Sequence, residues 1–76
     1  MKELIEYIAK SLVDDPDTVK VTEIEGEKIS VIELSVSKED IGKIIGKQGK
    51  TVMAMRIILS AVAAKKRKRA FVEIIE

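Results

Sequence analysis

Seventy-six residues, 46% hydrophobic and 36% charged with four glycines and one proline, suit a single small globular domain over residues 1–76 and exclude a disordered or collagen-like chain. The lack of cysteine and histidine excludes disulfides, thiolate zinc sites, thiol catalysis and the commonest general base, so a binding protein without metal or cofactor is expected, and no enzyme. The net charge of +1 hides a split, because residues 1–40 carry five basic and eleven acidic side chains and residues 41–76 carry nine and two; the second part is a candidate polyanion-binding face.

Leu4, Ile5, Ile8, Leu12 and Val13 recur at helical spacing, so the chain opens with an amphipathic helix. Charge is mixed through this segment, which fits no export signal, and the apolar stretch Val52 to Ala64 falls short of the roughly 20 residues that span a bilayer. A soluble cytoplasmic protein is expected. Asp14-Asp15-Pro16-Asp17 stops the helix in a solvated turn.

Val19 to Glu25 and Lys28 to Val36 are rich in β-branched residues and read as a hairpin, with Gly26 supplying a positive φ at the turn. Val19 and Val21 fall on one parity and Ile24 on the other, which predicts a bulge or a late start to the first strand. Ile32, Leu34 and Val36 are expected to face the core. Ser37 with Asp40 three residues on resembles a helix N-terminus. A short helix then runs to about Ile45, Gly46-Lys47-Gln48-Gly49 breaks it, and a longer one runs from near Lys50 to about Lys65. Ala70 to Ile75 is a third strand, whose long helical link allows it to lie parallel to a neighbour.

Gly49-Lys50-Thr51 lacks the partner glycine of a phosphate-binding P-loop, since Ile44 stands in its place and no strand precedes it. The segment from Ile41 to Val52 reads instead as I-G-x-x-I-G-x-x-G-x-x-V. It resembles the signature of KH domains, whose GXXG loop joins two helices and clamps the backbone of single-stranded nucleic acid. Together with the α-β-β-α-α-β order it resembles the type II KH fold, an α+β fold with a three-stranded mixed sheet and three helices on one face. The whole chain is similar to the small stand-alone KH proteins of bacteria, the KhpA type.

That resemblance implies an RNA-binding protein that acts without chemistry, as a post-transcriptional regulator or RNA chaperone. It also implies pairing in a homodimer or with a second KH protein of the Jag type. Gly42, Lys43, Gly46, Lys47, Gln48, Gly49 and Lys50 are the expected RNA-binding residues, and Ile41, Ile45 and Val52 the floor of a base groove. Gly46 and Gly49 lack a Cβ that would hold a sugar-phosphate chain away. Free amides opening the second helix and the three lysines supply positive charge for about three phosphates. The two aromatics, Tyr7 and Phe71, lie far from the loop in sequence, so base stacking is not expected.

Outside the loop, Lys65, Lys66, Arg67, Lys68 and Arg69 form a basic run, a candidate phosphate rail or a solvated helix end. On the long helix, Met55, Ile58, Leu59 and Val62 share the expected core arc. Met53, Ile57 and Ala64 lie beside it as a candidate partner interface. The alternative function is a protein-interaction or dimerisation module with weak or single-stranded DNA binding.

Overall fold

The computed structural model describes residues 1–75. Its order is α1 (Lys2–Leu12), a 3-10 turn (Pro16–Thr18), β1 (Lys20–Glu25), β2 (Ile29–Ser35), a second 3-10 turn (Lys38–Asp40), α2 (Ile41–Ile45), a third (Lys47–Gly49), α3 (Lys50–Lys65) and β3 (Arg69–Ile75). The strands form one mixed sheet in the order β1-β2-β3. β2 pairs antiparallel with β1 and parallel with β3, the parallel step resting on the helical crossover. The expected α-β-β-α-α-β order and mixed sheet are both present.

Strand alternation puts Val21, Ile32, Leu34, Ala70 and Val72 on one face of the sheet, where they pack against Ile5 and Ala9 of α1, Ile44 of α2 and Met55, Leu59 and Ala63 of α3. Val36 joins this core as expected. The other face carries the row Ile24, Val31 and Phe71, directly paired across the three strands. The broken alternation of β1 is therefore resolved without a bulge. Its register with β2 is continuous from Lys20 to Glu25, Val21 faces inward and Ile24 outward, and the strand starts one residue after Val19.

Gly26 does not take the expected positive φ, which among the described glycines belongs to Gly46 and Gly49. Proximity explains the residue instead. Its amide donates to the Ile29 carbonyl at 2.8 Å, and a Cβ there would stand 2.7 Å from that same oxygen. The core arc of α3 is also rotated from the expected one: Val52 and Ala63 join Met55 and Leu59 inside, whereas Ile58 is 45% exposed. Arg56 and Ser60 are the polar residues inside the helix beyond its ends, so α3 shows apolar and small side chains to solvent as well as to the core.

Candidate functional site

α2 is only five residues long, too short to hold itself together in water. It is held from outside. Asp40, just ahead of it, is 2% exposed, and its carboxylate accepts the Asp14 amide at 3.3 Å, the Asp15 amide at 3.2 Å and the Ser37 hydroxyl at 3.0 Å. The Ser37 side chain thus binds the Asp40 carboxylate rather than capping a backbone amide as a capping box would. Lys43 pairs with Asp14 and lies 3.5 Å from Asp40. Burial by itself raises the Asp40 pKa, but the two amides, the hydroxyl and the ammonium outweigh it and hold the carboxyl below its ordinary value. Hydrogen bonding to Asp14 raises that of Lys43.

The sign of the pH effect follows. A carboxyl with a depressed folded pKa stabilises the fold fully above its ordinary value of 3.8, and this contribution disappears as pH falls through the lower folded value. Wild type should therefore melt above Asp40→Asn at neutral pH, with the gap closing in acid. Thermal melts of both proteins from pH 7 down to about pH 2 measure it. A gap that stays constant would show that ionisation of Asp40 does not matter.

After Ile45 the chain reverses through the glycine loop. Gly46 has φ 78° and ψ 171°, a region that essentially only glycine occupies, and a Cβ there would lie 2.8 Å from the Thr51 amide nitrogen. Gln48 and Gly49 follow with φ 58° and φ 74°. These conformations turn Lys47 and Gln48 outward, both exposed, with exposed Lys50 opening α3. A Cβ on Gly42 or Gly49 would meet nothing within 4 Å, so packing inside the protein does not demand glycine at either place. The expected supply of free amides is narrower than the sequence suggests, because the Gly49 and Lys50 amides already donate to the Gly46 and Lys47 carbonyls.

The structure divides the candidate residues. Gly42, Gly46, Lys47, Gln48, Gly49 and Lys50 share one surface around the loop, while the Lys43 charge is compensated by Asp14 and Asp40. Of the candidate groove floor, Val52 is buried and Ile41 packs against the core, which leaves Ile45, 39% exposed, accessible. The basic run is not a continuous rail. Lys68 donates to Glu25 at 2.8 Å and to the Gly26 carbonyl, and the Arg69 guanidinium stacks 5.6 Å from the Phe71 ring centre. Lys65, Lys66 and Arg67 remain exposed. Arg67 takes φ 57° in the turn that ends α3, where the Lys68 amide returns to the Ala63 carbonyl and that of Arg67 to Ala64, a Schellman closure.

One part of the surface had no signal in the sequence. A groove of about 590 Å³ runs along the outer edge of β3, walled by Arg56 and Ser60 of α3 and by Phe71 and Glu73 of β3. Arg56 stands six residues beyond Lys50, about 9 Å along the helix from the loop. Phe71 is 46% exposed and offers an aromatic face that its position in the sequence did not suggest. Pairing distance between α3 and β3 can be read only from the fold.

A family model described as KhpA/KhpB, KH domain, matches residues 2–74. An RNA-binding protein KhpA of Clostridium acetobutylicum is 55% identical over 75 residues, covering 99% of this chain and all of the relative. Proteins of the same name from Caldanaerobacter subterraneus and Aquifex aeolicus are each 53% identical, covering 99% and 100% of this chain and 100% and 96% of their own lengths. No solved structure matches the chain.

Proposed function

The chain belongs to the KhpA/KhpB KH-domain family, and from that premise we propose that it binds single-stranded RNA by clamping the backbone against the loop from Gly46 to Gly49. The observation that carries this reading is the loop itself. Two positive-φ glycines turn Lys47 and Gln48 toward solvent at the positive end of α3, beside Gly42, where the protein leaves open space. A sugar-phosphate chain fits such a surface, with Lys47 and Lys50 neutralising phosphates. Bases leaving that clamp reach the β3 groove, where Phe71 supplies a stacking face and Arg56 and Glu73 a donor and an acceptor for base edges.

The same surface serves a cytoplasmic regulator or chaperone of RNA, and its work is binding without chemistry. The family description, which joins KhpA and KhpB, supports pairing with a second KH protein of the Jag type. Self-association is supported by α3, where Met53 is 58% and Ile57 65% exposed, close to Ala64 on the same helix face. Among the described residues no helix is long and apolar enough to cross a membrane.

Salt dependence tests the clamp. With Lys43 compensated, neutralisation by Lys47 and Lys50 gives a slope of log affinity against log salt of roughly −1.4 on a short unstructured RNA. Engagement of Lys65, Lys66 and Arg67 as well steepens it to roughly −3.5. A flat dependence, or a preference for duplex, would remove the phosphate clamp from consideration.

A further inference from the structure

Lys43 stands beside the proposed clamp, next to Gly42 and one helical turn ahead of Gly46 and Lys47, yet two carboxylates already face its ammonium. They are not equivalent. Asp40 is buried, and its carboxylate is largely occupied by the Asp14 and Asp15 amides and the Ser37 hydroxyl, three of its roughly four lone-pair sites. The remaining site lies on Oδ1, 3.5 Å from the Lys43 Nζ. Asp14 is the opposite case. Its side chain is 82% exposed, and among the described residues Lys43 is the one partner of its carboxylate.

The stability of the fold does not account for the Asp14 side chain. An ion pair this exposed contributes little, and the contact by which Asp14 secures α2 is made by its backbone amide, which an asparagine there would supply equally. The carboxylate bears on binding instead. We propose that Asp14 sets the affinity of the clamp by competing with RNA for Lys43: it occupies the place of a phosphate in the free protein and yields that place to the RNA backbone. The proposal rests on the clamp reading above and adds a third cation to it.

Charge and hydrogen bonding decide which carboxylate gives way. One ammonium facing two carboxylates leaves an excess of negative charge, so an arriving phosphate is repelled unless one of them withdraws. Withdrawal of Asp40 would strand two amides and a hydroxyl. Asp14 has only to turn into the water that already surrounds it. Lysine carries three donors on a flexible four-carbon stem, so Lys43 can keep Asp40 as a pivot and pass another donor from Asp14 to a phosphate lying over Gly42, where the protein leaves open space. The exchange also hides Lys43 from the salt dependence of the wild type. The phosphate releases a counterion on reaching Lys43 while the freed Asp14 takes one up, so the slope stays at the roughly −1.4 set by Lys47 and Lys50. Asparagine at position 14 has no charge to hand back.

Titrating a short oligouridylate into wild type, Asp14→Asn and Asp17→Asn at several salt concentrations tests this. Asp14→Asn should bind about fivefold more tightly and steepen the slope to roughly −2.1, the value for three phosphates. Asp17→Asn removes the same charge from the neighbouring 3-10 turn and should change affinity by about twofold at most, with the slope unchanged. Lys43→Met keeps the stem without the charge, and in that background Asp14→Asn should bring no gain, with thermal melting to show that the protein is folded. Equal gains from Asp14→Asn and Asp17→Asn, or a gain that survives in Lys43→Met, would overturn the competition. So would an Asp14→Asn slope equal to that of wild type, and each of these results leaves the clamp standing. A flat salt dependence in wild type and Asp14→Asn alike overturns both readings.

Discussion

Replacing Lys47 and Gln48 together with aspartate should reduce RNA affinity at least tenfold, on the order of 1.4 kcal/mol, while leaving the fold intact. The change removes one positive charge and adds two negative ones on the exposed tip of the loop, where the proposed clamp places phosphates. The fold should survive for a reason visible in the backbone. Gln48 already sits at φ 58° and ψ 28°, a left-handed conformation that aspartate adopts more readily than glutamine. Acidic groups ahead of α3 also suit its positive end, so the stability change should stay within about 0.5 kcal/mol. RNA affinity and thermal melting measured on the same double variant decide the matter. Undiminished affinity with an unchanged melt would reduce the loop to a connector and favour a protein-interaction module.

The largest loss of stability should come from a methyl group. Gly46→Ala forces a side chain into φ 78°, ψ 171° and sets its Cβ 2.6 Å from the Thr51 Cβ and 2.8 Å from the Thr51 nitrogen. Backbone strain and the overlap each cost roughly 1–3 kcal/mol, a fall in melting temperature on the order of 15 °C for a domain this small. Gly49→Ala meets nothing within 4 Å at φ 74° and should cost only about 1 kcal/mol. The two glycines of one motif thus separate by thermal melting, one needed by the fold and the other left open to what lies outside it. Equal losses would refute this division.

The helices and the sheet were legible because their signals are local. Gly46 to Gly49 interrupts an apolar period, and Ile32, Leu34 and Val36 alternate cleanly, so α2, α3 and β2 fall where the pattern sets them. The glycine loop was legible for the same reason. What the sequence hid depends on partners remote along the chain. Lys43 looks like a loop cation until Asp14, 29 residues earlier, is found against it. Lys68 looks like part of a rail until Glu25 and the hairpin turn are found beneath it. Ile58 falls in the core arc of a helical wheel because, in a helix apolar almost all round, only Arg56 and Ser60 mark a polar side and they fix its rotation loosely. Phe71 lies far from the loop in sequence, yet the crossover that makes β3 an edge brings it beside Arg56.

The corner held by Asp40 links events that the chain order keeps apart. In native-state hydrogen exchange, segments that depend on one another's contacts open together as one unit. α2 has too few turns to persist alone, and the carboxylate that anchors it is occupied by the Asp14 and Asp15 amides. Fraying of the α1–β1 corner and unlocking of the loop should then register as a single opening in such an exchange experiment. On that coupling the first helix and strand, though far from the loop in sequence, should set how long the proposed clamp stays formed between encounters with RNA.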